Sequence, residues 1–263
     1  MTIETKIAGL HTRIAGDGPP VVWIHGFPLS SRIFDGQLSI PARHILPDLP
    51  GFGASPAGEG VVTIDDYTAA VLQILDAAGV HQAVVAGISM GGYIALALAR
   101  TAMERLCGLV LIDTRETADT PEAKAKRYVT ADEVRQGGTA GVVESMFPKM
   151  LTQKTRTSDP ENSERLRRIM ESASPEGVIA ASGAMAERKS SEELLPSIEV
   201  PTLVVVGAED AITPPSDAER MRAAIPGAEL AIIENAAHLS NFERPAEFNE
   251  IMQRFLDRTE PRR

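Results

Sequence analysis

The chain has 263 residues, 36 acidic against 26 basic side chains, a formal net charge of −10 and 43% hydrophobic residues. A surplus of negative charge repels phosphate backbones, so nucleic acid is excluded as a natural partner, and the apolar fraction is enough for a large buried core. The length exceeds one average domain but is normal for a single α/β sheet enzyme carrying an insertion.

The opening Met1-Thr2-Ile3-Glu4 lacks the basic region and apolar stretch of a signal peptide. No run approaches the roughly 18 apolar residues of a membrane span. The one cysteine, Cys107, lies in an apolar run; it forms no intrachain disulfide and reads as a buried, inert thiol. A soluble protein of a reducing, cytoplasmic compartment is expected, with no membrane partner.

Two short alternating segments at 3–8 and 11–15 predict an antiparallel pair. Residues 20–25 then form a continuous apolar run, the pattern of a strand buried on both faces of a parallel sheet. The pattern recurs at 44–46, 83–88, 106–112, 202–206 and 230–233. Between most of these lie helical stretches. Residues 63–78 carry Ile64, Tyr67, Val71, Ile74 and Leu75 at helical spacing, and 91–99, 219–225 and 245–256 complete the series. The fold class is therefore α/β: a mostly parallel, twisted sheet of eight strands with helices on both faces.

Residues 114–189 break the alternation. They contain no convincing strand but several helix starts, where Thr120-Pro121, Asp159-Pro160 and Ser174-Pro175 each set a capping residue before proline. Lys124, Lys126, Arg127, Arg165, Arg167 and Arg168 read as solvated helix faces. The expected organisation is a core of residues 1–113 and 190–263 with a helical cap, 114–189, inserted between two of its strands.

Chemistry concentrates at Gly87-Ile88-Ser89-Met90-Gly91-Gly92, which follows a strand and opens a helix. The bare pattern G-x-S-x-G is weak evidence, but this context makes it a nucleophile elbow. Small residues on either side let strand and helix approach, and the turn lifts the serine hydroxyl clear of the sheet. The same turn sets the Met90 N–H at a helix N-terminus, facing developing negative charge. A second donor is expected from His25-Gly26-Phe27-Pro28, where the Phe27 N–H can point into the site and Pro28 has none to give. His25 itself reads as a ring bonded to loop backbone, with a substrate contact as the alternative.

A serine nucleophile needs a base, and the base an acid. His11, His44 and His81 flank strands at positions that usually point away from the catalytic edge. His238, in Asn235-Ala236-Ala237-His238, lies just past the carboxyl end of a strand, where ligand sites of open α/β sheets gather. Two carboxylates end neighbouring strands, Asp113 and Asp210. Asp210 is favoured because Gly207-Ala208 can swing it toward the site, Thr213-Pro214-Pro215 stiffens the loop exit, and Asp113 sits at the cap junction. Ser89, Asp210, His238 is also the chain order this kind of sheet requires. The glycine-rich Asp48-Leu49-Pro50-Gly51-Phe52-Gly53-Ala54-Ser55 has no lysine after it, unlike a phosphate-binding loop, and reads as a structural turn. No His, Cys, Asp or Glu cluster has metal-ligand spacing, so neither metal nor cofactor is expected.

Taken together, His25-Gly26-Phe27-Pro28, the Asp48 to Ser55 loop, the elbow, Val206-Gly207-Ala208-Glu209-Asp210 and Ala237-His238 resemble the α/β-hydrolase superfamily in order and spacing. The likeness spans nearly the whole chain outside the cap and is similar to the branch of 3-oxoadipate enol-lactonases and small carboxylesterases. The resemblance implies Ser89 as nucleophile, His238 as base, Asp210 as acid, and Phe27 and Met90 as oxyanion donors. It implies hydrolysis of a small carboxylic ester or lactone through an acyl-enzyme. A serine at the elbow argues against dehalogenases and epoxide hydrolases, which use aspartate, and dienelactone hydrolases, which use cysteine. A cofactor-free haloperoxidase or perhydrolase, a C–C bond hydrolase and a non-catalytic ligand receptor keep the same residues and stay open, as does monomer against homodimer. Arg115 reads either as a contact for a substrate carboxylate or as half of a surface ion pair.

Overall fold

A computed structural model describes residues 2–58 and 63–259; residues 1, 59–62 and 260–263 of the expected core segments lie outside the described residues. Eight strands form one sheet: β1 (Thr2–Ile7), β2 (Leu10–Ala15), β3 (Pro20–Ile24), β4 (Arg43–Pro47), β5 (Ala83–Ile88), β6 (Leu106–Ile112), β7 (Thr202–Gly207) and β8 (Glu229–Ile233). Their spatial order is β1-β2-β4-β3-β5-β6-β7-β8. The β1–β2 and β2–β4 pairs are antiparallel and all others parallel.

The continuous apolar runs follow from this arrangement. Successive side chains of a strand face opposite sides, so a strand covered on both sides must be apolar throughout. Val22 and Ile24 of β3 join one core cluster, while Val21 and Trp23 join the other. The first cluster is covered by α1 (Ile64–Ala77), α2 (Met90–Thr101) and α8 (Pro215–Ala224), and the second by α10 (Pro245–Leu256), by numbering helices in chain order. Trp23 is fully buried, yet its indole N–H donates to His44 Nδ1 at 3.0 Å, so no polar atom is stranded.

Helix ends are as legible as the strands. Thr63 caps α1 in a reciprocal box: its hydroxyl accepts from the Asp66 N–H at 3.1 Å, and Asp66 accepts from the Thr63 N–H at 2.9 Å. Between β6 and β7 lie α3 (Pro121–Gly137), α4 (Ala140–Met150), α5 (Gln153–Ser158), α6 (Pro160–Glu171) and α7 (Pro175–Ala186), with no strand among them. Thr120, Asp159 and Ser174 cap α3, α6 and α7, accepting from the N–H groups of Ala123, Asn162 and Gly177. Each proline occupies a first-turn position whose N–H would lack a partner in any case.

Three expectations change. Helix α8 begins at Pro215, four residues before its apolar periodicity becomes visible. Residues Ser31–Ser39 form a 3₁₀ helix where no element was expected, burying Ser31, Ile33, Phe34 and Gln37. Arg165 and Arg167 do not merely face solvent. Arg165 pairs with Asp35 at 2.8 Å and lies 5.2 Å over the Phe242 ring, and Arg167 lies 4.5 Å over Phe147. A guanidinium is flat and weakly hydrated, so Arg165 can clasp the helical insertion to the sheet body where lysine would stay in water, while Arg167 packs α6 against α4 within the insertion. No helix among the described residues is long and apolar enough to cross a membrane.

The strand order reverses at β3. The chain runs outward to β4 and returns to place β5 on the other side of β3. Loops leaving the carboxyl ends of β3 and β5 therefore diverge, and the crevice between them is where open α/β sheets hold ligands.

Candidate active site

Ser89 stands at that crevice, between the end of β5 and the start of α2, with φ 53° and ψ −116°. A serine pays strain energy for a positive φ, and the surroundings leave no relaxed alternative. A Cβ on Gly87 would lie 2.1 Å from the Gly91 carbonyl oxygen, and one on Gly91 would lie 2.0 Å from that of Ile24. Only glycine permits strand and helix to pass so closely. The turn is locked from β6 as well: the Ser89 N–H donates to Ile112 at 2.9 Å, and the Thr114 hydroxyl donates to the Ser89 carbonyl at 2.8 Å.

The hydroxyl of Ser89 lies 2.9 Å from His238 Nε2, and His238 Nδ1 lies 2.8 Å from Asp210 Oδ2. The three sequence-predicted residues thus meet from separations of 149 and 28 positions. Asp210 accepts four hydrogen bonds. Its Oδ1 takes the N–H groups of Ile212 and Thr213 at 2.8 and 3.0 Å, while Oδ2 takes the Thr213 hydroxyl at 2.7 Å and His238. Four donors fill the acceptor sites of an ionised carboxylate. Burial opposes its charge, but His238 and Thr213 overcome that and hold the Asp210 pKa below its ordinary value. Burial likewise works against a charged His238. Asp210 by charge and hydrogen bond, with Asp113 behind it, outweighs burial and raises the His238 pKa.

Asp113 occupies a different place. It takes no hydrogen bond from His238; its Oδ1 accepts from the Gly207 N–H at 2.8 Å, and Oδ2 accepts from the Ser240 N–H and hydroxyl at 2.9 and 2.7 Å. It therefore ties the ends of β6 and β7 to the segment after His238. Complete burial, then the charge of Asp210, pushes its pKa up to about 7, against the charge of His238 and the two Ser240 donors, which favour the carboxylate.

The two proposed oxyanion donors flank Ser89. Phe27 follows β3 and Met90 opens α2, and among the described residues neither N–H donates to another protein group. The Met90 N–H, at a helix start, lies at the positive end of aligned peptide dipoles.

The two residues considered as substrate contacts take up structural positions. His25 is completely buried, with Nδ1 at 2.8 Å from the Gly26 carbonyl and Nε2 accepting the Leu49 N–H at 2.9 Å. Those partners require a neutral ring protonated at Nδ1, and burial, opposed by Asp48, lowers its pKa to match. With both nitrogens engaged, the substrate contact considered for His25 is corrected to a brace between the β3 and β4 loops. Arg115 bonds the Ile212 carbonyl and pairs with Asp217 at 3.1 Å. It holds the loop that carries Asp210, and the ion pair is the reading favoured for Arg115 from the sequence. The Asp48 loop is a turn built on its own carboxylate, which accepts from the Ser31 and Ala54 N–H groups.

Thr114 and Ser240 are neighbours of the site that sequence reasoning passed over, and Thr213 was read there only as part of a stiff loop exit, not as a hydroxyl donor to Asp210. The local signal at this loop is Asp210 itself, since an Asp side chain can accept the backbone N–H two residues on, here that of Ile212. A cavity of about 110 Å³ beside Tyr93 and Arg115 is lined by neither Ser89 nor His238. Ser89 itself is half-buried. Among the described residues no group of three His, Cys, Asp or Glu could hold a metal ion.

Comparison with known proteins gives the family. Residues 19–245 match a family model described as the alpha/beta hydrolase fold. A curated relative, 3-oxoadipate enol-lactonase 2 of Acinetobacter baylyi, is 31% identical over 80% of this chain and 77% of its own. A thermophilic esterase from Thermogutta terrifontis, solved with malate bound, superposes with a TM-score of 0.92 at 36% identity, covering 98% of this chain and 99% of that one. The enol-lactonase from Burkholderia xenovorans LB400 superposes at 0.89 with 26% identity, covering 97% and 100%.

Proposed function

The chain belongs to the α/β-hydrolase family, and from that membership we propose that it is a serine hydrolase cleaving a small carboxylic ester or lactone through an acyl-enzyme. The observation that carries this reading is the continuous chain of contacts Ser89–His238–Asp210, at 2.9 and 2.8 Å, on a strained elbow.

Ser89 Oγ attacks the substrate carbonyl carbon while His238 Nε2 takes the hydroxyl proton. Asp210 holds the imidazole in the tautomer that accepts at Nε2 and stabilises the imidazolium that forms. The carbonyl oxygen becomes an oxyanion against the Phe27 and Met90 N–H groups. Removing one such donor costs about 2.7–4 kcal/mol of barrier in a serine hydrolase. The imidazolium gives its proton to the leaving alkoxide as the C–O bond breaks, and the acyl group stays on Ser89. With a lactone the alcohol remains tethered to that acyl group. Water then attacks, His238 takes its proton, and the acid departs from a restored Ser89. The ester and lactone names of the relatives support this class, and the half-buried serine suits a small substrate.

The experiment is a panel of p-nitrophenyl esters, lactones and a peracid-formation assay on one purified sample. Ester or lactone turnover well above peracid formation is expected. Peracid formation that dominates, or ligand binding without turnover, would overturn the reading.

The pH dependence follows from the base. A protonated His238 cannot accept the Ser89 proton, so activity is lost as pH falls through its pKa. That pKa is raised above the 6.5 of an ordinary imidazole, so the midpoint of the acid limb of kcat/KM is expected above that value. A rate that stays flat down to about pH 5, well below an ordinary imidazole pKa, would count against histidine as the base.

A further inference from the structure

Glu243 is a buried carboxylate for which the chemistry above has no use. It ends α9 (Ser240–Glu243), five residues past His238, and is 8% exposed. Its two oxygens serve different parts of the molecule. Oε2 accepts the N–H of Ala237, the residue before His238, at 2.7 Å. Oε1 accepts both the N–H and the hydroxyl of Thr152, at 2.9 and 2.7 Å. Thr152 lies inside the helical insertion, between α4 and α5, and caps α5 by accepting the Thr155 N–H at 3.1 Å.

We propose that Glu243 is a positioning residue that bridges the helical insertion to the loop of the catalytic base, so that the seating of the insertion sets the geometry of His238. The inference rests on the reading of His238 as base. Three donors converge on one carboxylate out of contact with bulk water, where charge-assisted hydrogen bonds are strong and geometrically demanding. The chain passes from Glu243 through a single peptide N–H to the backbone of His238. A shift of Thr152 is therefore passed to the ring without any contact between the insertion and the ring itself. A displacement of about 1 Å at a catalytic group can cost 10²-fold in rate.

The test uses Glu243→Gln, Thr152→Val and Thr152→Ser in the full chain. The side-chain amide of glutamine must turn its NH₂ toward either Ala237 or Thr152, both of which are donors. Valine keeps the shape of Thr152 and its backbone N–H but loses the hydroxyl; serine keeps the hydroxyl. Two quantities are read. One is kcat per active site, counted by fluorophosphonate titration of Ser89, which corrects for misfolded protein. The other is the titration midpoint of the His238 ring by NMR, assigned by its loss in His238→Gln, which requires no turnover.

Glu243→Gln is expected to lower kcat about 10- to 100-fold with KM nearly unchanged, and to move the His238 midpoint to lower pH as the ring loses its alignment with Asp210. Thr152→Val should act in the same direction by about threefold to tenfold, and Thr152→Ser should restore both quantities. A wild-type midpoint and kcat in Glu243→Gln, or in Thr152→Val, would overturn the bridge. If Glu243→Gln does not fold, the Thr152 pair decides alone. A wild-type protein that turns over no ester, yet shows the midpoint shift in the variants, would refute the proposed function and leave the bridge standing.

Discussion

Ser89→Ala is expected to abolish covalent labelling by a fluorophosphonate and to reduce ester turnover by about 10⁵- to 10⁶-fold, the scale of removing the serine from a comparable triad. The fold should persist, because the change deletes one oxygen. The turn is held by the glycines on either side and by backbone bonds to Ile112 and from Thr114, none of which involves the hydroxyl. Alanine is no worse suited than serine to φ 53°, so circular dichroism and thermal melting should match the wild type closely. Residual activity of about 10³ over water would still be consistent, since the backbone donors at Phe27 and Met90 remain. The decisive reading is the labelling. Phosphonate attached at full stoichiometry to the alanine variant would assign the nucleophile to another residue and remove Ser89 from the site.

The second large effect separates two buried carboxylates. Asp210→Asn is expected to cost about 10³ to 10⁴ in kcat, by analogy with the same change in a serine-protease triad. The asparagine amide cannot satisfy four donors: either its NH₂ faces the Ile212 and Thr213 N–H groups, or it faces Thr213 and His238. In both cases the charge that stabilises the imidazolium is gone. Asp113→Asn removes a carboxylate that meets Gly207 and Ser240 instead. Its amide oxygen can keep Ser240 while its NH₂ confronts the Gly207 N–H. That leaves a buried donor unpaired at a cost of about 1–3 kcal/mol. The expected loss in kcat is below about tenfold, equivalent to 1.4 kcal/mol of barrier, with the penalty read as a lower melting temperature. A larger kcat loss in Asp113→Asn than in Asp210→Asn, with both variants folded, would reverse the assignment of the acid while leaving Ser89 and His238 in place.

The sheet and the elbow were legible in the sequence because their constraints are local. A strand covered on both faces must be apolar at every position, as in β5 and β6, and a strand-to-helix turn as tight as that at Ser89 needs glycine on both sides. Proline after Thr120, Asp159 and Ser174 marks helix starts through the geometry of three or four residues. Its place just past the carboxyl end of a strand singled out His238, and the Gly207-Ala208 turn, the stiff Thr213-Pro214-Pro215 exit and the place of Asp113 at the cap junction favoured Asp210.

What the sequence could not carry are the contacts between loops that meet only when the sheet is assembled. Nothing near Arg115 in the chain announces Ile212 or Asp217, about a hundred residues away, so the ion pair favoured there had no partner that the sequence could name. Nothing near His25 reveals that Leu49 occupies its second nitrogen. Thr152 and Glu243 lie 91 positions apart, and neither belongs to a motif. A buried polar side chain is defined by the donors and acceptors that close around it, and those come from distant segments through strand order and helix packing. Residue type and local spacing determined the fold class and named the three side chains proposed to react. Only the tertiary structure decided which groups hold them, because desolvation forces every buried charge to find partners wherever the fold happens to place them.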